Sequence, residues 1–467
     1  MKHLALLLAA AFLVLTGLST EARAQADTLR LNLQTAVQRA LEISPEVGEV
    51  ASDRDYAAAR YRRAQASRFL TEFQATSAHA VAPGLSNPND TPTGRLYLDP
   101  DVRNDWNKLR PFNLLEIELL QPIMTWGELS GNIRAARHGI AVEEEAVHVK
   151  ELEVALRTGT LYYSLLLADA LHRLTNEAGD IVERAKREIQ RLLDEGDAGV
   201  DEADMFQVQI TEQEFKRRVV EVEQSRMTAR MALQRQLFLP EGTVPIPEEV
   251  VLEPIAFILA PLETYLTQAL IHRPELAQAD AGLAARSALV DVARSNYYPK
   301  LFLAANARYS YASGRYRQRN PYVGDPFLSR KVEAGLGIRQ KLNFLQTRAG
   351  VEEARAEQNK VQYLKEAARQ LILFEAEEAY RNLITAQAAL ASREEALLIS
   401  KQWLRNEQIN FDLEIGDTEN LIKAVQANLE LQAARHEAVQ QYNVAVLKLQ
   451  YATGVLTDLA KSGTLVD

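Results

Sequence analysis

The sequence predicts a mainly helical protein in which long antiparallel coiled-coil hairpins are combined with a few β-strands. Gly and Pro are both missing from residues 351–415 and from 417–453, which leaves room for very long helices. Within them apolar residues recur at alternating steps of three and four, the spacing of a coiled-coil seam. Elsewhere, four short segments alternate between apolar and polar residues, which is typical of β-strands.

The N-terminus has the layout of a secretory signal peptide. Lys2 is followed by an apolar stretch from Leu4 to Leu18 and then by the small-residue cleavage signal Ala22-Arg23-Ala24. We expect a signal peptide over residues 1–24 and export of the remainder. A stretch of about 15 apolar residues is short for a spanning helix, and no run of roughly 18 follows it. The mature chain is therefore predicted to lack a helical membrane span, whereas membrane-crossing β-strands stay possible.

Composition and motifs argue against an enzyme. The formal net charge of −10 is a poor match for nucleic acid. Cys is absent, which excludes disulfides, thiolate metal sites and lipid attachment through Cys. No HExxH, P-loop or GxSxG motif occurs, and the closest histidines, His138 and His148, would lie about 15 Å apart on one helix. The sequence predicts no catalytic residue, no metal and no cofactor.

The chain contains two copies of one structural unit. A shift of 229 residues aligns "ALEISPEV" at 40–47 with "ALIHRPEL" at 269–276 without a gap. Shifts of 219 and 217 align later segments, among them Gln121 with Gln340, and the three shifts run in chain order. Each copy is predicted to hold a helix, two strands and a helical hairpin. We expect a first repeat over residues 25–239, a Pro-rich linker over 240–261, a second repeat over 262–455 and a C-terminal tail over 456–467.

Each repeat is predicted to end in a long helical hairpin. Helices over about 128–193 and 347–412 each precede a short break and a returning helix. At 1.5 Å per residue, a helix of ~66 residues is about 100 Å long. Gly supplies the turns at the tips, which we place at residues 193–204 and 412–420. The seam spacing favours a coiled coil, although a helical bundle core would show the same local pattern.

Four predicted strands lie between the helices. They cover residues 115–119, 301–311, 332–339 and, with the poorest apolar face, about 70–80. The ungapped repeat alignment pairs Phe73 of that last strand with Phe302, which we expect to face inward. A one-residue slip of the alignment is therefore expected at this strand.

Aromatic residues bracket the predicted strands. Belts at two levels are typical of a sheet that crosses a bilayer, although a soluble sandwich fits the strands about as well. The far-end connections, 82–111 and 314–326, are polar and have the composition of exposed outer loops. The predicted girdle at the helix-facing ends consists of Phe69, Trp126, Tyr297, Tyr298 and Phe344. The far ends carry Phe112, Tyr311 and Tyr322.

A membrane location of the strands would require more than one chain. Barrels that span membranes need at least about 8 strands to leave no open edge, and one chain supplies four. Two copies would give about 8 strands around a packed interior, and three would give about 12 strands with room for a channel.

These features together resemble the outer-membrane efflux proteins typified by TolC. The resemblance is carried by the signal peptide, the doubled "ALxxxPE" motif, Gln121-Pro122-Ile123 ahead of Trp126-Gly127, and hairpins that turn at Gly199 and Gly416. It implies a homotrimer in outer-membrane lipid, with a barrel of about 12 strands continued by a periplasmic α-helical barrel. It also implies an exit duct for a tripartite efflux or type I secretion system. Lys341 departs from the pattern, because it replaces the Pro of the Gln-Pro pair.

The resemblance implies functional roles for the hairpin tips. The family closes its periplasmic end with an acidic ring, and the periplasmic adaptor (membrane fusion) protein that links it to an inner-membrane pump would dock at the tips. The candidate aperture residues are Asp412, Glu414, Asp417 and Glu419. The candidate adaptor contacts are Asp194, Gly196, Gly199, Asp204 and Gly416. Solvated tips that are rich in capping acids would have the same composition.

A rival interpretation is a soluble periplasmic coiled-coil scaffold or adaptor protein. It shares the hairpins and the export signal. It would carry one hairpin flanked by lipoyl-like and barrel domains, without a duplication over the full length.

Overall fold

The chain folds into two compact units, which we call the helical unit and the sheet unit. The computed structural model describes residues 28–86, 103–195, 202–315, 324–413 and 418–465. Of these, the helical unit contains the residues up to Val50, those of Ala146–Leu276 and those from Ala368 onward. The sheet unit contains those of Ala51–Glu145 and Ala277–Ala367.

Both halves of the chain show the same order of elements, namely two helices separated by a Pro, two strands and two long helices. The first half comprises α1 (Leu33–Ile43), α2 (Pro45–Ala66), β2 (Glu72–Ser86), β3 (Arg103–Met124), α3 (Glu128–Glu195) and α4 (Glu202–Gln236). The second half comprises α5 (Leu262–His272), α6 (Pro274–Ser295), β5 (Lys300–Ala312), β6 (Ser329–Arg339), α7 (Phe344–Asp412) and α8 (Thr418–Ala452). Three short elements complete the chain: β1 (Thr28–Leu31), β4 (Val244–Pro247) and α9 (Leu456–Ser462).

The repeated "ALxxxPE" motif forms a helix that stops and restarts. A Pro has no N–H to donate to the preceding turn, so α1 ends before Pro45 and a new helix begins there. The N–H of Ser44 closes α1 by donating to the carbonyl of Ala40 at 3.0 Å. In the second repeat the N–H of Arg273 donates to Ala269 at 3.1 Å in the same way. The alanine of each motif is fully buried, which explains why a small residue stands there in both copies.

The long helices extend close to the predicted bounds. α3 continues to Glu195 and α7 begins at Phe344, a few residues beyond the predicted ends. The absence of Pro from both helices, and of Gly from α7 beyond Gly350, was therefore a sufficient local signal. Within the described residues, no helix combines the length and the apolarity needed to cross a membrane.

The core of the helical unit is built by helices from both repeats. Leu33 and Val37 of α1, Leu165 of α3, Leu233 of α4 and Leu447 of α8 are almost fully buried in one cluster. β1 pairs in parallel with β4, so the segment ahead of α1 is joined to the linker between the repeats. The hydroxyl of Tyr162 donates to the carbonyl of Leu31 at 3.0 Å beside this pair. The sequence patterns predicted neither β1, β4 nor α9.

The strands form a single antiparallel sheet in the order β2-β3-β5-β6. β2 and β3 are longer than predicted, because residues 84–86 pair with 103–105 at the far end. The expectation of an outer loop over 82–111 is therefore wrong at both of its ends. A hydrogen-bonded ladder needs no apolar alternation, so the polar segment that starts at Arg103 continues the strand. Residues 87–102 and 316–323 lie outside the described residues.

Candidate functional site

One face of the sheet is mostly apolar, and its polar members are Ser77 and His79 of β2, Asn113 and Gln121 of β3, and Arg330 of β6. In register, Phe73 of β2 shares a row with Leu119 of β3, Ala305 of β5 and Ala334 of β6. This confirms the expected slip, because Phe73 lies on the face of Ala305 and not on that of Phe302. On β6 the side chains of Val332, Leu336 and Ile338 are 84%, 70% and 74% exposed. The other large apolar members of this face include Val81, Leu109, Leu115, Ile117, Leu301, Leu303, Tyr309 and Tyr311.

The opposite face is polar and carries charges of both signs. Glu116 of β3 lies beside Arg308 of β5, which lies beside Lys331 of β6. In a neighbouring row the amide of Asn306 is flanked by Glu118 and Glu333, and it donates to Glu116 at 3.1 Å. A sheet with one apolar and one charged face separates an apolar medium from water.

The sheet has two open edges in a single chain. β2 pairs only with β3, and β6 pairs only with β5, among the strands that the structure describes. Open edges are incompatible with a membrane interior, where unpaired backbone groups cost several kcal/mol each. This geometry needs partner strands on both sides before it can cross a bilayer.

The predicted aromatic girdle lies at the helix-facing end of the sheet. The ring centroids of Trp126 and Tyr298 lie 5.3 Å apart. The indole N–H of Trp126 donates to the carbonyl of Pro299 at 2.6 Å, which ties the end of β3 to the start of β5. Phe69 precedes β2, Tyr297 precedes β5 and Phe344 begins α7. All five side chains are exposed, as a girdle requires, although Tyr297 is close to half-buried.

A glutamine fixes the girdle backbone in each repeat, a role that the sequence patterns did not predict. The amide of Gln121 donates to the carbonyl of Arg68 at 2.9 Å, and its oxygen accepts from the N–H of Leu70 at 2.7 Å. In the second repeat Gln340 donates to the carbonyl of Tyr297 at 3.1 Å. Since Arg68 aligns with Tyr297, the two glutamines hold equivalent backbone positions. The alignment of Gln121 with Gln340 between the two repeats was the sequence signal that could have indicated this shared role.

The far end of the sheet is organised around Arg315. Its guanidinium pairs with Asp325 at 2.8 and 3.0 Å and donates to the side chain of Asn104 at 3.1 Å. It also lies over the ring of Phe327, which contacts Phe112 edge-on at 5.6 Å. These contacts join the β2–β3 and β5–β6 connections at their bases. Of the predicted far-end aromatics, Phe112 and Tyr311 lie on strands, and Tyr322 lies outside the described residues.

The first hairpin tip carries acids that are compensated within their own helix. Asp194 accepts from Gln190 at 2.9 Å, and Arg191 pairs with both Glu188 and Glu195 at 2.6 Å. Asp204 lies in the first turn of α4, but its side chain is outside the described parts. Gly196 and Gly199 also lie outside the described residues.

The second tip is described in part. Asp412 is the last residue of α7, and the structure does not describe its side chain. Glu414, Gly416 and Asp417 lie outside the described residues. Glu419 is exposed in the first turn of α8 and pairs with Lys423 at 2.5 Å. Arg191 and Lys423 thus offset Glu188, Glu195 and Glu419, and no two of the aperture candidates are brought together in what the structure describes.

Near the tips, the two hairpins share a small core, and the first hairpin holds a buried charge. Met205 and Val208 of α4 pack with Ile189 and Leu193 of α3 and with Ile422 of α8. A few turns away Glu212 is held between two lysines, with Lys186 at 2.7 Å and Lys216 at 2.6 Å. Hydrogen bonds from these lysines lower the pKa of Glu212 to about 2, so the carboxylate stays charged at any physiological pH.

Comparison with known families and structures agrees with this geometry. Residues 265–454, most of the second repeat, match the family model of the outer membrane efflux protein. No curated protein sequence matches the chain.

Several solved structures have the same fold at low sequence identity. The CmeC outer membrane channel of Campylobacter jejuni is 16% identical, with a TM-score of 0.71, over 93% of this chain and 90% of that one. The outer membrane protein VceC of Vibrio cholerae is 16% identical, with a TM-score of 0.68, over 90% of this chain and 96% of that one. The MtrE outer membrane channel of Neisseria gonorrhoeae, in its open state, is 14% identical, with a TM-score of 0.71, over 91% and 89%.

The match and the shared fold confirm the resemblance drawn from the doubled motif and the hairpins. They also confirm the mainly helical fold class with strands. The family consists of outer-membrane transport conduits with helical periplasmic portions, and its members are not enzymes. Residues 265–454 thus match the outer membrane efflux protein family, and the chain has the fold of solved outer membrane channels over about nine-tenths of its length.

Proposed function

We propose that the chain is one subunit of a homotrimeric outer-membrane channel that serves as a passive exit duct. The observation that carries the proposal is the two-faced sheet with two open edges. Its exposed apolar face suits lipid and its charged face suits a water-filled lumen. Three copies would join β6 of one subunit to β2 of the next and give about 12 strands, enough to enclose a channel.

The helical hairpins would continue this channel in the periplasm. The predicted girdle of Phe69, Trp126, Tyr297, Tyr298 and Phe344 would mark the periplasmic boundary of the bilayer. Below it, the long helices of three subunits would line up as the staves of a tube. The near-equivalence of the two repeats supports this, because two similar staves per subunit give six around a threefold axis.

The duct would operate in a tripartite efflux or type I secretion system. An inner-membrane pump would deliver cargo through a periplasmic adaptor that docks at the hairpin tips, near Asp194, Gly196, Gly199, Asp204 and Gly416. The shared core of Ile189, Met205 and Ile422 supports a common tip surface, because it packs the first hairpin against α8. Adaptor docking at this surface is therefore able to act on both hairpins.

The periplasmic aperture would be closed by carboxylates that the threefold axis brings close together. The candidates are Asp412, Glu414, Asp417 and Glu419. Like charges gathered in a narrow ring attract cations, repel anions and resist closure unless cations offset them. The pairing of Glu419 with Lys423 supports this picture, since it offers one such cation beside the ring.

The proposal is tested on the protein purified from outer membranes in mild detergent. We expect a particle of about three chain masses, heat-modifiable migration in gels, and discrete conductance in planar bilayers that favours cations. Replacing the aperture candidates by Asp417→Asn and Glu419→Gln should raise conductance and weaken the cation preference. Glu241→Gln, an exposed acid after α4, serves as the matched control. A monomer that osmotic shock releases from the periplasm would refute the proposal.

A further inference from the structure

A groove lined by arginines lies in the sheet unit between the end of α6 and the start of α7. It is open to solvent and has a volume of about 470 Å³. The residues used below are Arg294, Tyr297 and Tyr298 on the α6 side and Arg348, Glu352 and Arg355 on the α7 side. Three guanidinium groups therefore face one carboxylate, and the groove has a surplus of positive charge.

The arginines of the groove are only weakly compensated. Arg348 uses one N–H on Glu352 at 2.8 Å, which leaves most of its five donors available. Arg294 is 3.8 Å from Asp291, and that carboxylate pairs more closely with Arg134 at 3.0 Å. No described residue forms an ion pair or hydrogen bond with the guanidinium of Arg355. The groove can accept an anion without breaking a strong ion pair.

The groove lies at the level of the aromatic girdle. Tyr297 and Tyr298 are girdle residues, and the ring of Tyr298 is held against Trp126. On α7, Leu345 occupies the same helix face as Arg348 and Arg355, one turn nearer the sheet, and it is 83% exposed. An exposed apolar residue, then aromatic rings, then arginines is the order found at a membrane–water interface.

We propose that this groove binds the phosphate headgroup of an anionic phospholipid in the periplasmic leaflet of the outer membrane. The inference rests on the proposed membrane channel. Guanidinium groups hold phosphate oxygens through paired hydrogen bonds, and basic pockets at membrane boundaries select anionic headgroups. The tyrosine rings would contact the glycerol and the first methylenes of the acyl chains.

The first repeat has a groove between α2 and α3 that is lined by Arg60 and Arg63, but it does not repeat this arginine arrangement. The aligned positions of the first repeat carry one arginine and mostly apolar or small residues. They are Gln65, Arg68, Phe69, Leu129, Ile133 and Ala136. Each chain would therefore hold one such lipid at this level, and the periodicity of bound lipid around the channel would follow the subunits and not the repeats.

The test measures phospholipid retention by the purified channel. Delipidated protein in detergent is titrated with phosphatidylglycerol, with phosphatidylcholine or with inorganic phosphate, and bound lipid is counted by native mass spectrometry. We expect one tightly held phosphatidylglycerol per chain and at least about tenfold weaker binding in the double variant Arg348→Gln/Arg355→Gln. The control Arg62→Gln/Arg68→Gln removes the same charge from the equivalent end of α2, outside the groove, and should stay within about twofold of the wild type.

The outcomes separate the lipid site from the channel proposal. Unchanged phosphatidylglycerol affinity in Arg348→Gln/Arg355→Gln would overturn the lipid site, as would equal binding of phosphatidylcholine. Displacement of the lipid by millimolar inorganic phosphate would point instead to a site for free anions and would also overturn it. Particle mass and bilayer conductance are recorded on the same preparations, because their failure would count against the channel itself.

Discussion

The two repeats share a backbone plan but place their charges differently. In the first, Glu46 after the Pro of the motif pairs with Arg157 of α3 at 2.6 Å, and both side chains are 44% exposed. In the second, Arg273 before the Pro is buried, with a side chain only 4% exposed. It pairs with Glu275 at 2.7 Å and Glu375 at 2.9 Å, and it lies over the ring of Tyr451. The same turn is thus held by a surface pair in one copy and by a buried cluster in the other.

This difference shows which features the common fold requires. The Pro, the small buried alanine and the glutamine beside the girdle occur in both copies and act on the backbone in the same way. Ion pairs and grooves differ, because side-chain charges can be exchanged wherever the backbone path is already fixed. The following experiments test that distinction, from the largest expected effect to the smallest.

Loss of the buried arginine should have the largest effect. Arg273→Met leaves Glu275 and Glu375 without their shared cation in a mostly buried place, and we expect about 3 kcal/mol lower stability. Arg157→Met breaks an exposed pair and should cost less than about 1 kcal/mol. Denaturant midpoints of the purified protein in detergent measure both. Equal, small losses for the two variants would contradict the contrast, and adding Glu375→Leu to Arg273→Met should recover part of the larger loss.

The turns that follow α4 and α8, the last long helix of each repeat, offer a second contrast between the two copies. Gly454 lies two residues after α8 with φ +79°, and a Cβ there would come within 2.6 Å of the carbonyl oxygen of His272. Gly454→Ala should therefore cost about 2–3 kcal/mol. The equivalent residue after α4 is Phe238, which adopts φ +47° with the same hydrogen bonds.

Substitution of Phe238 by glycine is expected to relieve backbone strain. Phe238→Gly should change stability by no more than about 1 kcal/mol, since the strain that is removed offsets the lost contact of a half-exposed ring. Thermal unfolding followed by circular dichroism compares the two variants. A large loss for Phe238→Gly would show that its side chain, and not the backbone turn, stabilises this end.

The two glutamines should differ modestly. Gln121 makes three hydrogen bonds to backbone groups and Gln340 makes two longer ones. At about 1 kcal/mol per hydrogen bond, Gln121→Ala should cost roughly 2–3 kcal/mol at most and Gln340→Ala about 1–2. Both values are upper limits for groups next to water, and Gln74→Ala on β2 is the control. Trp126 fluorescence should report the loosened girdle in Gln121→Ala, and an unshifted spectrum would count against the role assigned to it.

The smallest effect is a pH dependence near neutrality that His436 of the second hairpin contributes. Burial lowers the pKa of His436 in α8, and Arg435 and Arg173 act in the same direction against Glu253 and Glu177. The unfolded state then binds a proton more readily than the folded one, so stability should fall as pH drops below about 6.5.

His436→Gln should remove this part of the pH dependence. The difference from the wild type should vanish above about pH 6.5 and grow as the pH falls below that value. Melting temperatures between about pH 5 and 8 provide the measurement. The aligned Val219 of the first repeat cannot titrate, so Val219→Gln is a suitable control. Identical pH profiles for His436→Gln and the wild type would show that His436 does not contribute to the pH dependence of stability.

Much of the fold was predictable because its signals are local. The lack of Pro in α3, and of both Gly and Pro in residues 351–412 of α7, predicted these helices to within a few residues, and Pro45 and Pro274 marked the interrupted helices. Strict alternation predicted β5 and β6, where one face is apolar except at Arg330, near the start of β6. The weak strand β2 was also predicted, including the slip at Phe73, because register is constrained wherever one face must be apolar.

Other features depended on partners that are distant in sequence. Nothing in Arg103 or Asn104 indicates a strand, and they join the sheet only because Leu85 and Ser86 offer backbone groups to pair with. The buried position of Arg273 requires Glu375 and Tyr451, which follow it by more than a hundred residues. The candidate tip residues stay predictions, since most of them lie outside the described residues.

By itself the sequence determined the duplicated plan, the long hairpins and the alternating strands, since each follows from side chains at fixed spacing along one backbone. Tertiary structure alone decided which strand neighbours which, that β2 and β6 are the outer strands of the sheet that the structure describes, and where arginines gather in a groove. Those properties arise from the meeting of segments far apart in the chain, and no local pattern of spacing encodes such a meeting.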